Sequence, residues 1–399
     1  MRGIFLRNLS ITYLIALYYI VFISVIDHST IAPIINQYAM SLGASPSLAG
    51  LITASFSIAA IFSLPIIGFF LDKFSRAGVI QTLIILDAII VFLYTKALDP
   101  YQLLIIRSIH GVIDTGLFPA SLAIFRDTIT RRLGLGLTMY WVLASTPIIL
   151  GNYITRQIVV SYGFHGVFYA AFIILLIGFS ASLYLGKEYI RIIKREDAPK
   201  IMGSEIRGLS IMLTAYLSAF TLYMMIGVVV GSMGPLLEYR LRISREIASA
   251  EIATWSMIAS LTSIIFIVIF TPFLVKSLRN LLITKLIGLS MILVSGILMI
   301  LGVDQVNRLV SSIVFGGALG TILPASSKTA SDVRFGRRGL SSALLSLSFL
   351  LGVITGVMMS SRILEASLGR EQNLNFLPSI IASIIALTYL ITVLILKTR

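Results

Sequence analysis

Cysteine is absent from the 399 residues, so disulfides, thiolate chemistry and cysteine-built zinc sites are excluded. Histidine is nearly absent too: three residues, scattered, speak against a histidine-built metal centre. Charge is scarce at 12% of residues, and acid is the scarcer sign, 17 Asp+Glu against 31 Lys+Arg. No Gly-x-x-x-x-Gly-Lys-Ser/Thr loop occurs, so nucleotide hydrolysis is not the energy source. The expectation is a protein that is not an enzyme and carries no cofactor or metal. The net charge of +14 would suggest nucleic acid as a partner in a soluble protein. Here the basic residues fall in short loops between apolar runs, and no nucleic-acid partner is expected. What the chain has in excess is apolar sequence, 57% of it, more than a soluble domain of this size can bury. The lipid bilayer is therefore its solvent.

Covering ~30 Å of hydrocarbon takes about 20 apolar residues. Twelve such windows can be drawn: 11–35, 48–71, 78–96, 102–125, 134–156, 164–186, 208–233, 248–271, 281–302, 307–327, 340–361 and 376–396. Arg2 and Arg7 precede the first in the manner of a signal peptide. That run continues to about Ile35, longer than a signal core of roughly 7–15 residues, and is read as a retained span. Residues 187–207 hold six Lys or Arg and divide the chain into a six-span unit 1–186 and a second one 208–399. Placing both termini in the cytoplasm puts 22 of the 31 Lys+Arg on that side, with Lys285 counted at the inner edge of the ninth window. On the outer side, Arg240, Arg242 and Arg245 read as a solvated loop face.

The last third of the chain repeats the first about 205 residues later. Gly116-Leu117-Phe118-Pro119-Ala120-Ser121 returns as Thr321-Ile322-Leu323-Pro324-Ala325-Ser326, and Gly111, Asp127, Gly134 and Gly151 return as Gly316, Asp332, Gly339 and Gly356. The charges do not return. Arg107, His110 and Asp114 meet Ser312, Phe315 and Leu319. A duplicated apolar scaffold with ionisable groups in one half is the layout of a secondary transporter. Spans 2, 5 and 7 to 12 read as free of charge in their cores, whereas spans 1, 3 and 4 carry Asp27, Asp87, Arg107 and Asp114. A charge at mid-bilayer costs about 2.5–3.5 kcal/mol even on the lenient scale, so each is a functional candidate.

Arg107, His110, Gly111 and Asp114 fall at i, i+3, i+4 and i+7, one stripe of a helix. Arg107 lies ~8 Å and Asp27 ~12 Å from the outer edges of their spans, depths that suit a carboxylate–guanidinium pair. The alternatives are a proton carrier at Asp27, Asp114 or both, tuned by Arg107, and a permanent ion pair that only orients helices. Asp87 lies at mid-span in the neighbouring helix, and His110 divides evenly between a packed ring and a proton relay. His28 and His165 sit at span ends, as interfacial anchors. In the second half, Tyr223, Trp255, Ser256 and Ser260 either line a cavity or serve as packing residues between helices.

Gly68-Phe-Phe-Leu-Asp72-Lys73-Phe-Ser-Arg76 resembles the Gly-x-x-x-Asp-Arg/Lys-x-Gly-Arg signature of the major facilitator superfamily, with Ser75 in place of Gly. Arg107-x-x-x-Gly111 is similar to that superfamily's span-4 motif, and Phe273-Leu274-Val275-Lys276 with Arg279 is a degenerate second copy of the loop. The resemblance covers nearly the whole chain. It implies two six-helix bundles that rock about a central site, with Gly68, Asp72, Lys73 and Arg76 latching the inner side. Asp114-Thr-Gly-Leu-Phe118-Pro119 is similar to a stretch of the superfamily's organic-anion symporters, and Asp27-His28 resembles their Asp-Arg pair. Ser145-Thr146-Pro147 to Gly151 keeps only part of a drug-antiporter signature, and Pro147 predicts a kink.

The expected protein is an all-α, multi-pass transporter of the plasma membrane acting as a monomer. It moves a small organic metabolite or anion by alternating access, coupled to a proton gradient that supplies the energy. Proton-driven export of amphipathic compounds is the alternative; a sensor or scramblase on the same fold is a more distant one.

Overall fold

The computed structural model describes residues 11–117, 121, 133–193, 209–274, 277–332, 338–367 and 373–398. These residues are helical almost throughout: α1 (Ile11–Ile31), α2 (Ile35–Ser41), α3 (Pro46–Lys73), α4 (Arg76–Leu93), α5 (Pro100–Asp114), α6 (Leu133–Ile193), α7 (Leu209–Val228), α8 (Gly234–Leu241), α9 (Arg245–Leu274), α10 (Leu278–Leu301), α11 (Gln305–Asp332), α12 (Arg338–Ser367) and α13 (Leu377–Thr398). Ten helical segments among the described residues are long and apolar enough to cross a membrane. One of them, Tyr140–Leu183, is 44 residues long and holds two of the expected windows. Gly163 divides it with φ 68° and ψ −170°, a conformation that only glycine adopts without strain. α5 is described for 15 residues; its continuation through Phe118-Pro119 lies outside the described residues.

The helix starts follow local chemistry. Ser45 accepts from Leu48 N–H ahead of Pro46, and Asp99 accepts from Tyr101 and Gln102 N–H ahead of Pro100. A short polar acceptor satisfies the free N–H groups of the first turn, and proline at N1 has none to lose. Ser277 starts α10 in the same way. Asp304 accepts from Val306 and Asn307 N–H, which sharpens the boundary between the ninth and tenth windows. These bonds hold the exposed Asp304 carboxyl below its ordinary range. Ser75, the departure from the loop signature, is the N-cap of α4 and accepts from Gly78 N–H.

Buried apolar side chains gather into two main clusters. One draws on residues 20–175, the other chiefly on residues 222–386. Large apolar residues such as Phe62, Ile66, Ile105, Leu261 and Ile265 stay exposed on the outer faces, where lipid tails would meet them. The repeat is visible as geometry. Gly111 brings α5 so close to α3 that an added Cβ would collide with the Phe56 carbonyl; Gly316 does the same for α11 against the Ala259 carbonyl of α9. Gly356 repeats the device for α12 against Met224 of α7. The duplicated pairs Gly111 with Gly316 and Gly151 with Gly356 are thus close helix-crossing points in both halves.

Pro147 lies inside α6, and the carbonyl its ring would leave unpaired, that of Leu143, is taken by the Thr146 hydroxyl at 2.7 Å. A neighbouring hydroxyl re-satisfies the backbone, as membrane helices require.

Two expectations need correction. The ninth window is not free of charge. Lys285 is wholly buried on α10, its Nζ donating to Thr214 Oγ1 at 2.6 Å and Thr329 Oγ1 at 3.4 Å. Its place near the window edge makes it look like a loop lysine in sequence; helix packing closes over it. Nor is the Arg240–Arg245 segment simply solvated. Arg245 bridges Glu238 at 3.3 Å and the Met40 carbonyl at 3.0 Å, joining the start of α9 to the end of α2.

Candidate functional site

A cavity of about 340 Å³ lies between the two clusters. α1, α3, α5 and α6 supply one wall, α7, α9, α11 and α12 the other. Tyr223, Trp255 and Ser256 line it, as does Ser260. Tyr223 stacks on Phe349 with centroids 4.3 Å apart, and Trp255 packs against Phe315 at 4.9 Å. Trp141, which the sequence pattern did not single out, lines it from α6 and donates to Ser327 at 3.2 Å.

At the end of the cavity nearest α2 the two halves touch. Asn36 Nδ2 donates across them to the Gly231 carbonyl at 3.1 Å, an oxygen that Ser361 Oγ of Gly231's own half also meets at 3.0 Å. Ser47 N–H donates to Glu365 at 2.9 Å. Gly231 sits in a π-helical turn, Val229–Met233, whose wider winding frees that carbonyl for partners outside its own helix.

The ionisable groups of the first half converge behind the cavity wall. His110 of α5 points Nε2 at two carboxylates: Asp27 Oδ2 of α1 at 3.2 Å and Asp87 Oδ1 of α4 at 2.9 Å. All three side chains are completely buried. Nδ1 of the same ring faces Tyr94 Oη at 2.8 Å and Arg107 Nη1 at 3.2 Å, and Arg107 Nη1 also donates to Tyr94 Oη at 3.2 Å. Nε2, facing two carboxylates, carries a proton, while Nδ1 faces the Tyr94 hydroxyl and the guanidinium. One N–H therefore serves two carboxylates. It is aligned on Asp27; Asp87 has no aligned donor at either oxygen.

Asp114, two turns along α5 from Arg107, reaches the same centre from the cavity wall. Its Oδ1 is buried without a hydrogen bond. One ligand atom each from Asp27, Asp87, His110 and Asp114 fits within 4.8 Å of the others. As a donor set for a cation this offers three carboxylates only, because His110 turns an N–H toward the centre. Arg107 stands behind the imidazole, its guanidinium 4.5 Å from the centre of the Phe56 ring.

The expected Asp27–Arg107 pair is thus not what the structure builds. Both residues join one cluster, with His110 between them and Tyr94 as the bridge to Arg107. Asp87 belongs to the cluster as fully as Asp27 does. Tyr94 carried no sequence signal; it ends α4 in a 3₁₀ turn, and only folding stacks it on Phe168 at 4.9 Å and aims its hydroxyl at His110. Of the loop motif, Gly68 lies in α3 with open space where a Cβ would stand. Lys73 is exposed, its Nζ 5.4 Å from the Phe69 ring centre. The side chains of Asp72 and Arg76 lie outside the described residues.

The family model described as Major Facilitator Superfamily matches residues 17–357. No curated protein matches the chain. Several solved structures do. A bacterial homologue of the human lysosomal transporter Spinster, inward-facing and unoccupied, matches with TM-score 0.69 at 15% identity, over 97% of this chain and 98% of its own. A mutant of the nucleoside transporter NupG matches with TM-score 0.69 at 13% identity, over 95% of this chain and 99% of its own. The human organic anion transporter MFSD10 matches with TM-score 0.67 at 13% identity, over the same shares. Identities this low speak for the fold alone. With the family model running through both halves and the cavity between them, the chain belongs to the Major Facilitator Superfamily.

Proposed function

We propose that this protein is a proton-coupled secondary transporter that carries a small organic solute across the plasma membrane by alternating access. In this reading residues 1–186 and 208–399 are two six-helix bundles joined by 187–207, with twelve spans, both termini in the cytoplasm and a monomer as the working unit. The division of α6 at Gly163, the two apolar clusters and the duplicated glycine crossings support it.

The observation that carries the coupling is the charge balance of the buried cluster. Three carboxylates share 4.8 Å with the His110 ring, and Arg107 is the one fixed cation in contact with it. With all three carboxylates ionised, the negative charge exceeds what Arg107 and His110 can balance, at a cost on the order of several kcal/mol per uncompensated buried ion. Protons taken up and given back through Asp114, the member on the cavity wall, resolve the imbalance and tie it to the transport cycle. Asp27, Asp87 and Asp114 hold the exchangeable charge. Arg107 and Tyr94 hold the His110 ring in the orientation that serves them. The residues Gly68, Asp72, Lys73 and Arg76 form the inner latch.

The test is proton movement in liposomes containing the purified protein, challenged with organic acids, sugars and cationic amphiphiles. Substrate-dependent flux that disappears in Asp27→Asn is the expected result. Undiminished coupled flux in both Asp27→Asn and Asp114→Asn would refute it. A second reading, exchange of an amphipathic compound for protons, draws on the aromatic wall formed by Trp141, Tyr223, Trp255, Phe315 and Phe349.

A further inference from the structure

Phe56 lines the cavity and packs on two members of the buried cluster. The Phe56 ring of α3 carries Arg107 on its face at 4.5 Å and meets the His110 ring edge-on at 5.3 Å. It also meets His28, ring centres 5.1 Å apart. His28 follows Asp27 on α1, and a helix turns consecutive residues about 100° apart. Asp27 thus enters the cluster, wholly buried, while His28 opens into the cavity. The expectation that His28 is an interfacial anchor is therefore wrong: the span continues past it, and Thr30, Ile31 and Ile34 beyond are completely buried.

The cavity tells what kind of cargo could reach that contact. Its ionic members, Arg107 and Asp114, are 2% and 7% exposed, and Phe56 covers the guanidinium. Apart from the Asn152 amide, the rest of its lining is aromatic, aliphatic or hydroxyl-bearing. A sugar or a dicarboxylate would lose its hydration there and find few partners. An apolar body with one hydrogen-bonding group would bury its body on the aromatic wall and offer that group to His28.

We propose that His28 anchors the polar group of an amphipathic cargo, and that Phe56 is the shutter this contact works between the cavity and the proton site. The proposal rests on the proton-coupled reading and adds the cargo class and the contact through which cargo and proton sense each other. While the ring lies on Arg107 and against His110, those two are covered, and Asp114 is the cluster's carboxylate on the cavity wall. Cargo seated on His28 displaces the ring and uncovers Arg107 and His110. The Phe56 backbone cannot follow, because α5 crosses it at Gly111 with no room for a Cβ. The movement therefore belongs to the side chain.

The chain's three histidines and two tryptophans, both lining the cavity, make the test direct. Diethyl pyrocarbonate acylates accessible imidazoles, and mass spectrometry reads each site. In the wild type in detergent, His28 should label and His110 should not. Dansylamide, an apolar ring system with one sulfonamide, should quench tryptophan emission saturably and protect His28, whereas glucose and succinate should do neither. His28→Ala should weaken dansylamide about tenfold. Phe56→Ala should let His110 label and should raise proton leak in cargo-free liposomes at least tenfold; Phe56→Leu serves if the alanine variant does not fold. A labelled His110 in the wild type, protection by succinate rather than dansylamide, or a folded Phe56 variant with protected His110 and a tight membrane would overturn the proposal. The coupled-flux assay on wild-type protein stands apart from these outcomes and tests the parent reading alone.

Discussion

Neutralising Asp87 should make the fold more stable and the transporter useless. The side chain is completely buried, it does not line the cavity, and neither of its oxygens has an aligned hydrogen-bond donor. It shares the cluster with Asp27 and Asp114 at separations of up to 4.8 Å. Two unit charges at that distance repel by roughly 3–4 kcal/mol at an effective dielectric of about 20. Asp87→Asn keeps the shape and removes that repulsion whenever its neighbours are ionised. The expected gain is on the order of a few kcal/mol at alkaline pH, several degrees in melting temperature. The repulsion needs Asp87 charged beside a charged neighbour, so the gap between variant and wild type is widest where the most carboxylates are ionised, at the alkaline end. The assay is thermal unfolding in detergent at pH 6 and pH 8.5, beside proton flux in liposomes. A variant that melts several degrees below wild type at pH 8.5 and still couples flux normally would refute the reasoning. Groups held at a cost to stability mark functional sites.

The other predictions concern the scaffold and the closure. Gly111→Ala and Gly316→Ala should each destabilise by about 1–3 kcal/mol, because the new methyl meets backbone that cannot move aside. Gly68→Ala, with open space around it, should change stability by no more than about 0.5 kcal/mol; equal melting temperatures for all three would contradict the crossing geometry. Asn36→Ala removes a hydrogen bond between the halves worth about 1 kcal/mol and should shift the population roughly fivefold toward the form open at the α2 end. Disulfide yield between cysteines placed at Gln37 and Gly234, in a chain that has no others, reads that shift. An unchanged yield would remove Asn36 from the closure. Lys285→Met replaces a buried ammonium that bonds to threonine hydroxyls with an apolar chain of similar length. It should stabilise the fold by about 1–4 kcal/mol and so raise the melting temperature; a fall would mean that the lysine amine is needed where it lies.

Much of this protein could be read along the chain, and the reasons are local. Helix starts at Ser45, Ser75, Asp99, Ser277 and Asp304 are set by a short acceptor next to free N–H groups, which no distant residue alters. Spans are set by apolar length. The stripe Arg107, His110, Gly111, Asp114 needs only the 3.6-residue period of one helix. The Asp27–Arg107 expectation used depth alone, and depth says how far along its axis a side chain sits, not which way it turns.

A membrane-spanning, duplicated helical chain with acids inside the spans of its first half is legible before any folding. Composition, apolar run length and self-similarity are properties of the chain and survive any arrangement of its helices. Packing alone places His110 between Asp27 and Asp87, brings Tyr94 into the network, turns His28 to the cavity and seals Lys285 away. Each of these depends on the rotation of one helix against another. That rotation is fixed by close crossings such as Phe56 on Gly111, between residues too far apart in sequence for any period to relate them.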